Sequence, residues 1–117
     1  MDWQKIGDES VELMRGYLRV NTTNPPGQET AGTRFLAQVL DGAGIASETA
    51  ESAPERGNLG ARVRGDGALS ALVLHHHIDV VYADERYWTA DPFSFARASS
   101  ATGATPRWSG PPDMAAA

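Results

Sequence analysis

Apolar positions near the amino terminus recur with the period of a helix. The pattern predicts a helix from about Trp3 to Val20, although Gly7 and Gly16 each weaken it by roughly 1 kcal/mol relative to alanine. Packing against other parts of the protein must therefore contribute to the stability of this helix. The apolar residues that share one of its faces are Ile6, Leu13, Met14, Tyr17 and Leu18.

A proline turn separates this helix from a second one. Pro25 and Pro26 cannot continue a helix, and the residue before a proline is pushed toward extended backbone. The second helix is predicted from about Gln28 to Leu40, and Gly42 or Gly44 can supply its left-handed cap. Its apolar side carries Phe35, Leu36, Val39 and Leu40.

Strand patterns follow the second helix. Residues 45–52 form a weak strand candidate, and apolar positions alternate through residues 58–65 with the period of a half-buried strand. The strongest pattern lies in residues 71–80, where Leu72 to Leu74 form a continuous apolar run, typical of a strand covered on both faces. This order of elements predicts an α/β fold class, with two amino-terminal helices packed on a small sheet.

The composition is that of one small soluble domain of 117 residues. A net charge of −5 argues against a nucleic-acid binder, and the absence of cysteine excludes disulfides and thiolate metal sites. The sequence has no apolar run long enough to span a membrane and no signal-peptide pattern at its start. We therefore expect a cytoplasmic protein that binds neither membranes nor nucleic acid.

The end of the chain has a different composition. Residues 95–117 are mostly Ala, Ser, Thr, Gly and Pro and show neither helical nor strand periodicity. Such a segment buries too little apolar surface to offset the entropy of ordering it. We therefore expect a disordered carboxyl-terminal tail, with Trp108 as a local anchor.

Three histidines and an aspartate end the apolar run of residues 71–80. In a strand, His75, His77 and Asp79 would share one face. An imidazole binds zinc well through one nitrogen when a carboxylate holds the other, and α/β sheets place ligands at the carboxyl ends of their strands. On this spacing alone, solvated or hydrogen-bonded histidines at the end of a strand are favoured over a metal site, because such short patterns recur by chance.

Four segments in order along the chain carry a further signal: "LMRGYLRVNTTNPPGQE", "FLAQVLDGAGI", "RGNLGARVRGDG" and "HIDVVYADERYWTADPFS". These motifs resemble the zinc-dependent M20 family of metallopeptidases and amidohydrolases. Together they extend from about Asp8 to Ser94, so residues 1–94 are interpreted as the amino-terminal part of an M20-like catalytic domain. The resemblance implies a zinc-peptidase-like fold and two zinc ions. It also implies hydrolysis of amide bonds in N-acyl amino acids or peptides.

The resemblance also implies roles for individual residues. His77 matches the first metal ligand of the family, and Asp79 matches the catalytic aspartate that supports it. His75 and His76 receive no role. Trp88 and Phe93 match the loop that follows, where packing is the favoured interpretation.

After Ser94 the motifs no longer match. Asp113, in the dipeptide Asp-Met, is the remaining candidate for the aspartate that bridges two metals, but Pro111 and Pro112 replace a glycine-rich segment. The general base, further ligands and the dimerisation domain of the family have no counterpart in the sequence. We therefore expect a truncated or frameshifted chain that binds zinc weakly and is inactive alone. The alternative is a non-catalytic remnant or a small α/β interaction module.

Overall fold

The computed structural model describes residues 1–88 and 91–94. They divide into two units, of which one comprises residues 20–81 and the other comprises residues 1–19 with the described residues from Tyr82 onward. The first of these units contains the second helix and both strands, and the other contains the first helix.

Helix α1 extends from Trp3 to Leu18, which confirms the first predicted helix and ends it two residues early. Asp2 caps its amino terminus, because its side chain accepts a hydrogen bond from the Lys5 amide at 3.1 Å. In the same unit, a single turn of 3-10 helix covers Glu85–Tyr87. Asp84 caps this turn by accepting the Arg86 amide at 3.1 Å.

Helix α2 extends from Glu29 to Gly42, close to the predicted bounds. It ends as the sequence predicts, because Gly44 has a positive φ of 72° that favours glycine. The reversed chain is then fixed by a hydrogen bond of 2.8 Å from the Ile45 amide to the Leu40 carbonyl.

Strands β1, Ser47–Glu51, and β2, Gly57–Ala61, form an antiparallel pair in which Thr49 lies opposite Leu59. Helix α2 packs against this pair at Gly57. A side chain there would place its Cβ 2.8 Å from the Thr30 Cα and 2.9 Å from the Thr33 hydroxyl, so only glycine permits this approach. The Thr30 hydroxyl also lies 2.5 Å from a Glu51 carboxylate oxygen, which ties the helix to β1.

The described residues of this protein bury polar side chains rather than apolar ones. Thr22, Glu29, Thr30 and Thr33 are each at most 7% exposed, and no hydrophobic side chain of residues 1–88 or 91–94 is fully buried. The expected fold class is nevertheless confirmed, because the chain is mixed α/β with two amino-terminal helices and a small sheet.

The predicted central strand at residues 71–80 is wrong. This segment has no regular structure apart from a single bridge at Val80, and Leu72 and Leu74 are 84% and 86% exposed. A buried strand needs a neighbouring strand for its amide groups and cover on both faces, and the described residues provide neither to the apolar run. The strand predicted through residues 58–65 likewise stops at Ala61.

The expected tail, residues 95–117 with Trp108, lies outside the described residues, and so does the boundary after Ser94. Within the part of the chain that the structure describes, neither helix has the length and apolar character needed to cross a membrane.

Candidate functional site

The His-x-Asp segment is held by the chain that leaves α1, far away in sequence. Thr23 and Val80 form a parallel bridge, in which the Asn24 amide donates to the Val80 carbonyl at 2.9 Å and the Val80 amide donates to the Thr22 carbonyl at 3.2 Å. The Thr22 hydroxyl, 3% exposed as a residue, donates to the Ile78 carbonyl at 2.9 Å. These bonds fix the backbone on both sides of Asp79.

His77 folds back onto Asp79 within this segment. Its Nδ1 lies 2.7 Å from the Asp79 carbonyl oxygen and 3.2 Å from the carboxylate Oδ1. Both neighbours are acceptors, so the neutral imidazole places its proton on Nδ1. The lone pair of Nε2 is then available on a side chain that is 82% exposed.

Asn24 holds the other carboxylate oxygen of Asp79. The Asn24 Nδ2 donates to Asp79 Oδ2 at 3.0 Å. This hydrogen bond, followed by the nearby His77, holds the pKa of Asp79 below its usual range. The carboxylate is therefore ionised at neutral pH and can accept from both sides.

The pair lies beside a cleft of about 360 Å³ within residues 20–81. The start of α2, the start of β2 and residues 74–79 line this cleft, and His75 and His76 are among the lining residues. His76 turns its Nδ1 to the His77 carbonyl oxygen at 3.0 Å. The expectation that strand alternation places His75, His77 and Asp79 on one face is wrong, because the segment is not a strand.

The zinc chemistry implied by the M20 resemblance fits this donor set at one position. His77 can offer Nε2 as a ligand, and Asp79 is placed as the carboxylate that commonly supports such a histidine. Among residues 1–88 and 91–94, however, no three side chains of His, Asp or Glu come together to hold a metal ion. Asp113 lies outside the described residues. No hydrolytic step follows from the described residues alone.

Two residues of this site were missed by the sequence analysis. From the sequence, Asn24 is only the residue before Pro25 that is pushed toward extended backbone. Arg56, whose Nη1 lies 3.3 Å from Asn24 Oδ1, has no role predicted from the sequence. Their partners are distant in sequence, and no spacing rule connects them. The "NTTNPPG" motif was the one available signal, since it marked this turn without explaining it.

Comparison with known proteins finds relatives that match this chain over part of their length. The chain is 32% identical over 87 residues to aminoacylase-1 from Sus scrofa and from Homo sapiens, and to aminoacylase-1B from Rattus norvegicus. The matched region is 72% of this chain and spans 21%, about a fifth, of each relative's length. This similarity supports the relationship to the M20 family that the motifs indicate.

No family model matches the sequence, and no solved structure is significantly similar to it.

Proposed function

We propose that residues 1–94 are the amino-terminal part of an M20-type amidohydrolase catalytic domain, whose substrates are N-acyl amino acids or peptides. The observation that carries this proposal is the contact between His77 Nδ1 and Asp79, which leaves Nε2 available. The 32% identity to aminoacylase-1 supports the same reaction class. The contribution of this chain to catalysis is one oriented zinc ligand.

Each residue of the pair has a separate task in this proposal. His77 binds zinc through Nε2. Asp79 fixes the ring tautomer and increases the basicity of the imidazole, and Asn24 holds the carboxylate in place. A bound zinc ion in such enzymes lowers the pKa of its water and polarises the amide carbonyl.

Zinc binding tests the ligand assignment. Calorimetric titration of the purified 117-residue chain with zinc should give weak binding, because one histidine does not fill a tetrahedral shell. His77→Ala should lower the affinity at least tenfold. His76→Ala is the matched control, since it removes an adjacent exposed histidine and should change the affinity less than threefold. Equal losses in both variants, or no binding by the wild-type chain, would contradict the assignment.

An amidase assay tests the proposed incompleteness of the site. The same chain should show no zinc-dependent hydrolysis of N-acyl amino acids, because the described residues contain no group of three His, Asp or Glu side chains that could hold the ion. Turnover that requires zinc and is lost in both His77→Ala and Asp79→Ala would show that other groups complete the site. That result would support the reaction class and overturn the expectation of inactivity.

A further inference from the structure

We infer that Arg56 is a positioning residue for the His77–Asp79 pair and that it acts through the side-chain amide of Asn24. Where zinc is concerned, this inference rests on the proposed function. Its other consequences concern only the geometry of the metal-free chain.

The contacts form a continuous chain from α2 to His77. Arg56 Nη2 lies 3.1 Å from Glu29 Oε1, and Arg56 Nη1 lies 3.3 Å from Asn24 Oδ1. The Asn24 Nδ2 then donates to Asp79 Oδ2 at 3.0 Å, and Asp79 Oδ1 lies 3.2 Å from His77 Nδ1. All five side chains belong to residues 20–81.

The orientation of the Asn24 amide follows from its two neighbours. A guanidinium can only donate hydrogen bonds, and an ionised carboxylate can only accept them. Arg56 therefore requires Oδ1 on its side, and Asp79 requires Nδ2 on the other. Without Arg56, one of the two contacts that prevent the Asn24 amide from rotating by half a turn is lost. The rotated amide would place its oxygen against the Asp79 carboxylate. Arg56 thereby keeps the donor directed at Asp79.

Arg56 is itself held on three sides. The Glu29 side chain that pairs with it is 8% exposed, and the Pro26 carbonyl lies 3.4 Å from Nη1. Gly27, with a φ of 84°, passes so close that a Cβ at this position would collide with the guanidinium. The glycine thus gives Arg56 the space to reach both Glu29 and Asn24.

Arg56→Lys is the informative variant, because it retains the charge that neutralises the buried Glu29. A lysine ammonium is a single point donor and cannot reproduce the planar fork that contacts Glu29 and Asn24 together. Arg56→Ala would leave Glu29 without its partner and could unfold the chain for that reason alone. Arg62→Lys, at an exposed position just beyond β2, is the matched control.

The first measurement determines the tautomer of His77 in the metal-free chain. Long-range proton–nitrogen NMR reports it at a pH where the ring is neutral. The wild-type ring should be mainly protonated on Nδ1. Arg56→Lys and Asn24→Ala should both reduce that fraction, and Arg62→Lys should leave it unchanged. Arg56→Lys should add no further change in the Asn24→Ala background, because residues that act through one another are not additive.

The second measurement is zinc affinity by calorimetry. Asn24→Ala should weaken binding by about tenfold, as loss of an outer partner of a metal ligand commonly does. Arg56→Lys, one contact further away, should weaken it by about threefold. Circular dichroism confirms that each variant is folded.

The outcomes separate this inference from the proposed function. An unchanged tautomer in Arg56→Lys, or additive effects of Arg56→Lys and Asn24→Ala, would overturn the positioning role. A non-additive tautomer change in a chain that binds no zinc would support the positioning role and remove the proposed function.

Discussion

Residues 71–74 and 77–80 are neighbours in sequence, but they differ in what holds them. The apolar run is more than four-fifths exposed at Leu72, Val73 and Leu74. The His-x-Asp segment, by contrast, is bound through backbone and side-chain hydrogen bonds to Thr22 and Asn24. The segment with the greater tendency to be buried is therefore the less constrained of the two.

The difference arises because hydrophobic attraction has no direction, whereas hydrogen bonds specify their partners. An apolar run is fixed only when other elements cover it, and within residues 20–81 the described elements are one helix and two strands. The polar segment needs only a short parallel bridge and two side chains. Specific partners, not average hydropathy, decide which part of this chain is ordered around the candidate site.

Helix α2 packs on β2 close to Glu29 and Arg56, and we expect the greatest loss of stability from a substitution there. Gly57→Ala should lower the free energy of unfolding by about 1–3 kcal/mol, because the new Cβ meets helix backbone, which cannot move aside cheaply. In Gly60→Ala, a variant in the same strand, the new Cβ would meet no atom within 4 Å. This variant should lower the free energy of unfolding by less than about 1 kcal/mol. Urea denaturation of both variants measures the difference. Equal stabilities would show that the helix is not this close to the strand.

A smaller effect is expected where the polar segment is attached. Thr22→Val keeps the shape of the side chain but leaves the Ile78 carbonyl without this donor, which should cost about 1–2 kcal/mol. Thr23→Val changes the adjacent, half-buried threonine and serves as the control, with an expected cost below about 0.5 kcal/mol. Urea denaturation again gives the values. A larger loss in the Thr23 variant would contradict the attachment described for Thr22.

Leu72 tests whether the apolar run is exposed, as the structure has it, or buried. Leu72→Ser should change the free energy of unfolding by less than about 0.5 kcal/mol, because the side chain is already exposed to water. A buried leucine would instead cost about 2–5 kcal/mol on truncation. A loss in that higher range would contradict the exposed position of Leu72 and support the buried strand that the sequence pattern predicts.

The smallest change in stability is expected at Asp84. Its partner Arg86 is two residues away, whereas Asn24, the partner of Asp79, is distant in sequence. Hydrogen bonds from Arg86, including one of 2.5 Å from Nη2, hold the pKa of Asp84 below its usual range. The Asp84–Arg86 pair therefore stabilises the folded state at pH values above the ordinary titration range of an aspartate. That contribution is lost as pH falls through the lowered pKa of the folded state.

Carbon NMR of the Asp84 carboxyl should show the consequence. Arg86→Gln should move its titration midpoint upward, toward the ordinary aspartate value, and Arg86→Lys should give an intermediate midpoint because it keeps the charge without the fork. An unchanged midpoint in Arg86→Gln would contradict the pairing.

The sequence predicts the features of this protein that depend on near neighbours. Helical spacing located α1 and α2 to within about two residues, and Gly44 was identified as a possible cap of α2. The proximity of His77 and Asp79 follows largely from their separation of two residues, whatever the local backbone. Their roles in metal binding stay predictions.

Features that depend on distant partners were not predictable. The apolar run of residues 71–74 identified a segment that could be buried without identifying what would cover it. Asn24 meets Asp79 across 55 positions, and Arg56 meets Asn24 across 32. Neither pair has a periodicity or a spacing that distinguishes it from many other polar pairs in the chain.

The parallel bridge between Thr23 and Val80 also has a consequence for the order of events during folding. The neighbouring hydrogen bond joins Thr22 to Ile78 across 56 positions, and closing a loop of that length costs about 3.5 kcal/mol of chain entropy. Such non-local pairings form later than helices do. At a synthesis rate of about 5–20 residues per second, Asn24 leaves the ribosome roughly 3–11 seconds before Asp79. A nascent chain thus presents the proline turn long before the carboxylate that the turn will hold. A synthetic peptide of residues 70–85 would carry the histidines and Asp79 without the Asn24 donor.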